Sequence, residues 1–175
     1  SITTAFNENQ FTAIMGPSGS GKSTLLHCLA GLDKVTSGSI LINGIDLASL
    51  NDKELTKMRR DSFGFVFQAF NLIPTLTAEE NITLPSSIAG RKPEDKWVEQ
   101  VIEAMDIGDR LGHRPNELSG GQQQRVAAAR AMASKPEVIF ADEPSGNLDS
   151  KSSKELLVFM KSIVEDLNQT IVMVT

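Results

Sequence analysis

The chain contains a single cysteine, a single tryptophan and no tyrosine, and no apolar run long enough to cross a membrane. A membrane-spanning helix needs about 18 or more apolar residues in succession. The lone Cys28 excludes an internal disulfide framework and suits a reducing compartment. We expect Cys28 to be a buried small apolar residue rather than a reactive thiol. The first residues are neither basic nor apolar over the length of a signal peptide.

Positive charge is also scarce, since the 175 residues carry a net charge of −5. This balance argues against a nucleic-acid partner, because neutralising phosphates requires a basic face. Both ends of the chain look cut. Residues 170–175 predict a buried strand with no turn after it, and Ser1 is not preceded by a methionine. We therefore expect the chain to be a fragment, long enough for one domain with a substantial core.

Short apolar runs alternate with helical patterns, which predicts an α/β fold with a mainly parallel sheet flanked by helices. Strands are expected at 11–15, 63–67, 137–141 and 170–175, and helices at 22–30, 51–60 and after Ser150. Asn43-Gly44 between two apolar runs predicts a hairpin. The pattern changes to helices between 71 and 133, so the sequence divides into an α/β part, 1–70 and 134–175, and an α-helical subdomain, 71–133.

The helical subdomain has its own signals. Thr77 and Glu80 have the spacing of a capping box. Pro93 is expected at the first position of a helix. Trp97 shares one face of that helix with four aliphatic residues, so it is expected to be core rather than a ligand platform.

The most informative segment is the loop from Gly16 to Ser23, which fits the phosphate-loop pattern G-x-x-x-x-G-K-[ST]. A strand precedes it and a helix follows, as the pattern requires. Its glycines let backbone N–H groups converge on phosphates, and the helix start adds positive potential. Lys22 supplies a full charge to the β- and γ-phosphates, the Ser23 hydroxyl is a Mg²⁺ ligand, and Thr24 is a nearby donor. The candidate nucleotide-binding residues are Gly16, Pro17, Ser18, Gly19, Ser20, Gly21, Lys22, Ser23 and Thr24.

Two carboxylates, Asp142 and Glu143, end the apolar strand at 137–141. A phosphate loop needs an acidic strand end beside it to hold Mg²⁺, and Asp142 fits that role. Strand alternation is expected to make the two side chains diverge. Glu143 is then placed to activate a water against the γ-phosphate as a general base.

A second glycine-rich helix start occurs at Leu118-Ser119-Gly120-Gly121-Gln122. Ser119 and Gln122 have capping-box spacing. Two glycines in the first helical turn cost roughly 1 kcal/mol each relative to alanine. Such a cost is justified where another backbone or a phosphate must approach closely. We expect a paired molecule in which each subunit completes the other's site.

The order of these segments resembles the nucleotide-binding domain of ATP-binding-cassette (ABC) transporters over essentially the whole chain. The resemblance implies a P-loop ATPase fold that binds ATP and Mg²⁺ and works as a head-to-tail dimer. Each ATP would lie between one subunit's phosphate loop and the other's Ser119-Gly120-Gly121-Gln122. It also implies that Gln68 contacts Mg²⁺ and the attacking water. Asp149, in the segment Asn147-Leu148-Asp149, would lie at the dimer seam.

Finer details resemble the branch that serves macrolide export, lipoprotein release, antimicrobial-peptide export and a cell-division complex. They include Arg59-Arg60, the stretch from Gly64 to Gln68, and the run from Gln122 to Arg125. The implied partners are transmembrane permease subunits, contacted through the groove near 68–77. The implied location is the cytoplasmic face of the cell membrane, without insertion of this chain.

Two elements of the family pattern are missing. The aromatic residue that stacks on adenine belongs upstream of Ser1, and Phe6 and Phe11 lie too close to the loop to replace it. The switch histidine is expected directly after Thr175. His27 and His113 do not match that position and are expected to be packed or surface residues. The resemblance therefore implies slow hydrolysis by this chain alone.

Two alternatives remain open. One is the non-transport, cell-division member of the same branch. The other is a soluble cassette ATPase of DNA repair or translation. The interval between Gly16 and Leu118 is too short for the long coiled coil of the repair proteins, and the chain has one cassette where translation types have two.

Overall fold

The computed structural model describes residues 2–146 and 148–175, so Ser1 and Asn147 lie outside the described residues. The strands of the described residues are β1 (Phe11–Ile14), β2 (Leu41–Ile42), β3 (Ile45–Asp46), β4 (Phe63–Phe67), β5 (Val138–Asp142) and β6 (Thr170–Val174). The helices are α1 (Lys22–Leu29), α2 (Asp52–Ser62), α3 (Ala78–Ile88), α4 (Asp95–Met105), α5 (Gly120–Met132) and α6 (Ser150–Leu167).

Four strands form a parallel sheet in the order β1-β6-β5-β4, and β2 pairs with β3 in a separate antiparallel hairpin. All four carboxyl ends meet at one edge because the strands are parallel. The phosphate loop leaves this edge after β1, Gln68 follows β4, and Asp142 ends β5. The expected α/β fold is confirmed, and its topology gathers the chemistry-bearing segments along one edge.

Each face of the sheet has its own apolar core. On β6, Ile171 and Met173 contribute to the core shared with α3, α4, α5 and α6. Val172 and Val174 contribute to the opposite core, which contains Leu26 of α1. Alternate residues of a strand point to opposite faces, so a buried strand must be apolar on both. This explains why residues 170–174 are buried throughout.

Several local signals are confirmed. Asn51 caps α2 and Thr77 caps α3, both with complete capping boxes. Asn43 and Gly44 both have positive φ, 50° and 79°, as a tight two-residue hairpin turn requires. The expectation for Pro93 is wrong, since α4 begins at Asp95. Glu94 precedes that helix in an extended conformation (ψ 101°), which interrupts any helix from Pro93.

The helical segment is joined to the sheet by α5. Trp97 is core as expected: it is 6% exposed, and its indole N–H donates to the carbonyl oxygen of Met132 on α5 at 2.8 Å. Val66 of β4 belongs to the same apolar cluster as Trp97. The division into 1–70 with 134–175 and 71–133 stays a prediction, and the apolar core runs continuously between the two parts.

The contact between β4 and α5 predicts a large stability effect at Gly64. A Cβ on Gly64 would lie 2.4 Å from the carbonyl oxygen of Ala131, which is backbone and cannot rotate away. We expect Gly64→Ala to lower the free energy of unfolding by about 1–3 kcal/mol. Gly112→Ala is the matched control, because a Cβ there meets nothing within 4 Å. Urea unfolding of both variants measures the difference, and equal midpoints would contradict this packing.

Candidate active site

The phosphate loop links β1 to α1 and is largely exposed. Gly19 and Gly21 have φ of 77° and 86°, a left-handed conformation that side-chain-bearing residues rarely adopt. Gly21 is the N-cap of α1, and no side chain caps this helix. The first backbone N–H groups of α1 are therefore not taken by a cap, and they suit an anionic ligand.

Lys22 is bent over the loop that precedes it. Its ammonium donates to the carbonyl oxygens of Gly16 at 2.9 Å and Pro17 at 3.1 Å. These contacts hold the positive charge against the backbone of the loop. The loop thus combines one full charge with an uncapped helix start, which is the chemistry of phosphate binding.

The acidic strand end lies against the phosphate loop. The Ser23 hydroxyl donates to Oδ1 of Asp142 at 2.8 Å, although 119 residues separate them in the chain. A hydroxyl and a carboxylate oxygen are hard ligands of the kind that Mg²⁺ prefers. These residues therefore fit the metal expected from the phosphate loop.

The divergence of the Glu143 and Asp142 side chains stays a prediction, because the backbone at Glu143 is not that of a strand. Strand alternation does not apply, because β5 ends at Asp142. Glu143 has φ of 42°, in the left-handed region. Its N–H donates to the Val174 carbonyl and its own carbonyl accepts from Gly146, each at 3.0 Å. Backbone in this conformation costs about 1–3 kcal/mol and concentrates at functional sites.

Gln68 begins the segment after β4 at the same edge. Phe67, the residue before it, pairs with Asp142 in the sheet register. Gly146 lies directly against its side chain, since a Cβ there would be 2.7 Å from Gln68 Nε2. The fold therefore brings Gln68 to the turn that follows Asp142 and Glu143, and Gly146 leaves room for its side chain.

His27 makes a contact with Asp142 that sequence reasoning missed. It was expected to be a packed or surface residue, but its Nε2 lies 3.1 Å from Oδ2 of Asp142. Its Nδ1 lies 3.7 Å from Oδ2 of Asp33. The one available signal was its spacing, because Ser23 and His27 are four residues apart and share a face of α1. Cys28, expected to be buried, is only partly buried.

The second glycine-rich helix start is confirmed as a capping box. The Ser119 hydroxyl accepts from the Gln122 N–H at 3.3 Å, and the Gln122 side chain accepts from the Ser119 N–H at 2.9 Å. A Cβ at Gly120 would lie 3.7 Å from Leu148, and one at Gly121 would lie 3.8 Å from Ser152. Both distances are ordinary contacts. Packing within the described residues therefore gives no reason for two glycines here.

Asp149 caps α6. Its Oδ1 accepts from the N–H groups of Lys151 and Ser152, and its Oδ2 accepts from the Ser152 hydroxyl at 2.8 Å. The hydrogen bonds from Ser152 hold the pKa of Asp149 below its usual value. The carboxylate thus remains ionised and fixed, while Asn147 of the same predicted seam segment lies outside the described residues.

The segment after Gln68 is held by two side chains that the sequence did not single out. Arg130 of α5 donates to the carbonyl oxygens of Phe70 at 2.9 Å and Asn71 at 2.5 Å. Burial lowers the pKa of Arg130 from its very high ordinary value. Asn81, fully buried, accepts from the Ile73 N–H at 2.8 Å and donates to three carbonyl oxygens of residues 73–77. These contacts tie the segment to α3 and α5.

Comparison with known proteins agrees with this architecture. The family model described as ABC transporter matches residues 1–146. A macrolide export ATP-binding/permease protein MacB from Marinobacter nauticus is 48% identical over 168 residues, which are 95% of this chain and 26% of that protein. The lipoprotein-releasing system ATP-binding protein LolD 1 from Chlorobium chlorochromatii is 41% identical over 99% of this chain and 72% of its own length.

A solved structure extends the comparison to the fold. The ATP-binding cassette MJ0796, described as a dimer in a post-hydrolysis state bound to ADP and Pi, superposes with a TM-score of 0.83. It is 46% identical, and the match covers 98% of this chain and 77% of that one. MJ0796 is a protein of Methanocaldococcus jannaschii.

A phosphate loop joined to an acidic strand end, on this parallel sheet, places the chain in the class of P-loop NTPases. The chain belongs to the ABC transporter family, as an ATP-binding domain of the type whose ATP hydrolysis powers transport. Across residues 2–146 and 148–175, the structure contains no helix that is long and apolar enough to span a membrane.

Proposed function

We propose that this domain hydrolyses Mg·ATP at the sheet edge where the phosphate loop meets Asp142. The hydrogen bond from Ser23 to Asp142 carries the proposal, because it joins the phosphate loop to a second oxygen ligand. The proposed metal ligands are Ser23, Asp142 and Gln68. Bound Mg²⁺ would supply positive charge that offsets the negative charge on the phosphate oxygens.

The chain's own residues perform the remaining work. Residues 16–24 hold the phosphates through backbone N–H groups, and Lys22 supplies a fixed positive charge. Glu143 accepts a proton from the attacking water as general base. Gln68 helps to orient that water. None of these proposed roles is that of a covalent nucleophile. This agrees with phosphoryl transfer in general, where positioning and electrostatics supply most of the catalysis.

The glycine pair supports a second copy of the chain as the partner. Gly120 and Gly121 weaken the start of α5, yet a Cβ on either would make only ordinary contacts inside the chain. The reason for the glycines then lies outside the subunit, where close approach of a nucleotide needs bare backbone. We place Ser119, Gly120, Gly121 and Gln122 against ATP held by the other subunit, with Asp149 at the seam. The dimeric MJ0796 cassette supports this arrangement.

Mixing two inactive variants, both made in a version extended at both ends, tests the arrangement. Lys22→Ala removes the phosphate-loop charge, and Gly121→Asp places a negative charge where the partner's phosphates would lie. Each variant alone should hydrolyse ATP poorly. A mixed head-to-tail dimer rebuilds one complete site, so an equimolar mixture should recover up to about a quarter of the parental rate.

The controls separate this outcome from simple misfolding. Both variants should keep the parental unfolding midpoint, because the hydrogen bonds of the Lys22 side chain are exposed and a Cβ at Gly121 has space. A mixture no more active than its components would show that the two motifs do not cooperate between subunits.

We also propose transmembrane permease subunits as partners, which would place the domain at the cytoplasmic face of a membrane. The segment after Gln68 supports this proposal. Arg130 and Asn81 hold its backbone, while Ile73 stays 39% exposed. A fixed loop with an exposed apolar residue is suited to contact another protein. Cysteine cross-linking from position 73 in intact membranes tests the assignment.

We further propose that the 175-residue chain turns over ATP slowly by itself. Of its two histidines, His27 contacts Asp142, and His113 lies in the segment before α5. Neither is placed as a γ-phosphate contact in the proposed site. A version extended beyond Thr175, with histidine as the next residue, should release phosphate faster at matched nucleotide occupancy. Equal rates would contradict the proposal.

A further inference from the structure

Both carboxylate oxygens of Asp142 contact side chains of the same helix, α1. The Ser23 hydroxyl donates to Oδ1 at 2.8 Å, and His27 Nε2 lies 3.1 Å from Oδ2. Both donors belong to α1 and are one turn apart. Each oxygen of Asp142 therefore has its own hydrogen-bonding partner on the same helix.

The contact with His27 restricts the orientation of the Asp142 carboxylate, which the hydrogen bond from Ser23 alone leaves free. The terminal torsion of aspartate is broad, so one hydrogen bond does not determine the orientation of the carboxylate plane. Donors at both oxygens do determine it. The backbone carbonyl of His27 accepts from the N–H groups of Leu32 and Asp33 after α1, and its Nδ1 lies 3.7 Å from Asp33 Oδ2.

We propose that His27 is a positioning residue for Asp142, holding that carboxylate in the orientation that binds Mg²⁺ beside Ser23. The inference rests on the metal role proposed for Asp142. Hydrogen-bond partners of carboxylate ligands typically change metal affinity by 10–100-fold when they are removed. His27 would therefore act on the metal-dependent part of nucleotide binding, and not on the contacts that the phosphate loop makes without metal.

The test measures binding of a fluorescent ATP analogue in Mg²⁺ and in EDTA, without any turnover assay. Each of three variants replaces a side chain by one of similar size. His27→Leu removes the hydrogen-bonding nitrogen, and His27→Gln keeps an N–H at similar reach. Asp142→Asn removes the charge. His113→Ala is the matched control, a histidine in the segment before α5. Thermal unfolding of each variant confirms folding.

We expect His27→Leu to leave affinity in EDTA unchanged and to lose about tenfold or more of the Mg²⁺-dependent gain. His27→Gln should recover most of that gain, and His113→Ala should match the parent. Equal weakening in EDTA and Mg²⁺, no effect of His27→Leu, or no rescue by glutamine would overturn the proposal. If Asp142→Asn also keeps the full Mg²⁺ gain, the proposed metal site itself fails. If only Asp142→Asn loses it, the metal site stands and His27 does not position it.

Discussion

Replacement of Lys22 by alanine is expected to abolish tight Mg·ATP binding while leaving the fold intact. Lys22 supplies the only full positive charge within the loop from Gly16 to Ser23. Hydrogen bonds to charged groups contribute about 1.5–3 kcal/mol each, so affinity should fall by roughly ten- to a hundredfold. Titration of a fluorescent ATP analogue against mutant and parent measures the loss.

The control for this experiment is Lys57→Ala. Lys57 is exposed on α2, so the substitution removes the same charge from the molecule away from the phosphate loop. Its affinity should equal that of the parent at all salt concentrations. If Lys22→Ala and the parent bound the analogue equally well, the loop would not be the nucleotide site.

The second large effect is expected at Glu143. Glutamine has nearly the same shape as glutamate but cannot accept a proton from water at neutral pH. In a version extended at both ends, Glu143→Gln should therefore lower hydrolysis by about 10²–10⁴-fold. Binding and closure do not need the base. The variant should therefore accumulate as an ATP-bound dimer, because the step that reopens it is blocked.

Size-exclusion chromatography with and without ATP measures that accumulation. Glu99→Gln, an exposed position on α4, removes the same charge and should leave both oligomeric state and rate unchanged. A Glu143→Gln protein that remained monomeric with ATP and hydrolysed it at the parental rate would exclude Glu143 as the base.

The sequence predicted those parts of the site whose chemistry is local. The phosphate loop could be recognised because its glycines, lysine and serine are contiguous, and their spacing alone implies the geometry. The capping boxes at Thr77 and Ser119 could be recognised for the same reason, since a cap bonds to a backbone group three residues away. The roles proposed for these residues remain predictions, while the elements that carry them are confirmed.

Contacts between distant segments could not be predicted in this way. His27 and Asp142 are 115 residues apart, and Arg130 is 60 residues from the carbonyl of Phe70 that it holds. Neither side chain has a partner that spacing could reveal. The left-handed backbone of Glu143 could not be predicted either, because it accompanies hydrogen bonds to Val174 and Gly146 that spacing along the chain does not reveal.

Residue type and local spacing were sufficient for the phosphate loop and the acidic strand end, because each depends on neighbours within a few residues. The alternation of strand and helix patterns was sufficient for the fold class, and the order of the motifs along the chain was sufficient for the family. The strand order was not accessible in the same way. Insertion of β6 between β1 and β5 decides how the phosphate loop faces Asp142. It also decides which residues of α1 reach that carboxylate. Such distances arise only when segments far apart in the chain pack on a common sheet. The burial of apolar surface that drives this packing is non-directional, so it does not by itself specify which strands become neighbours.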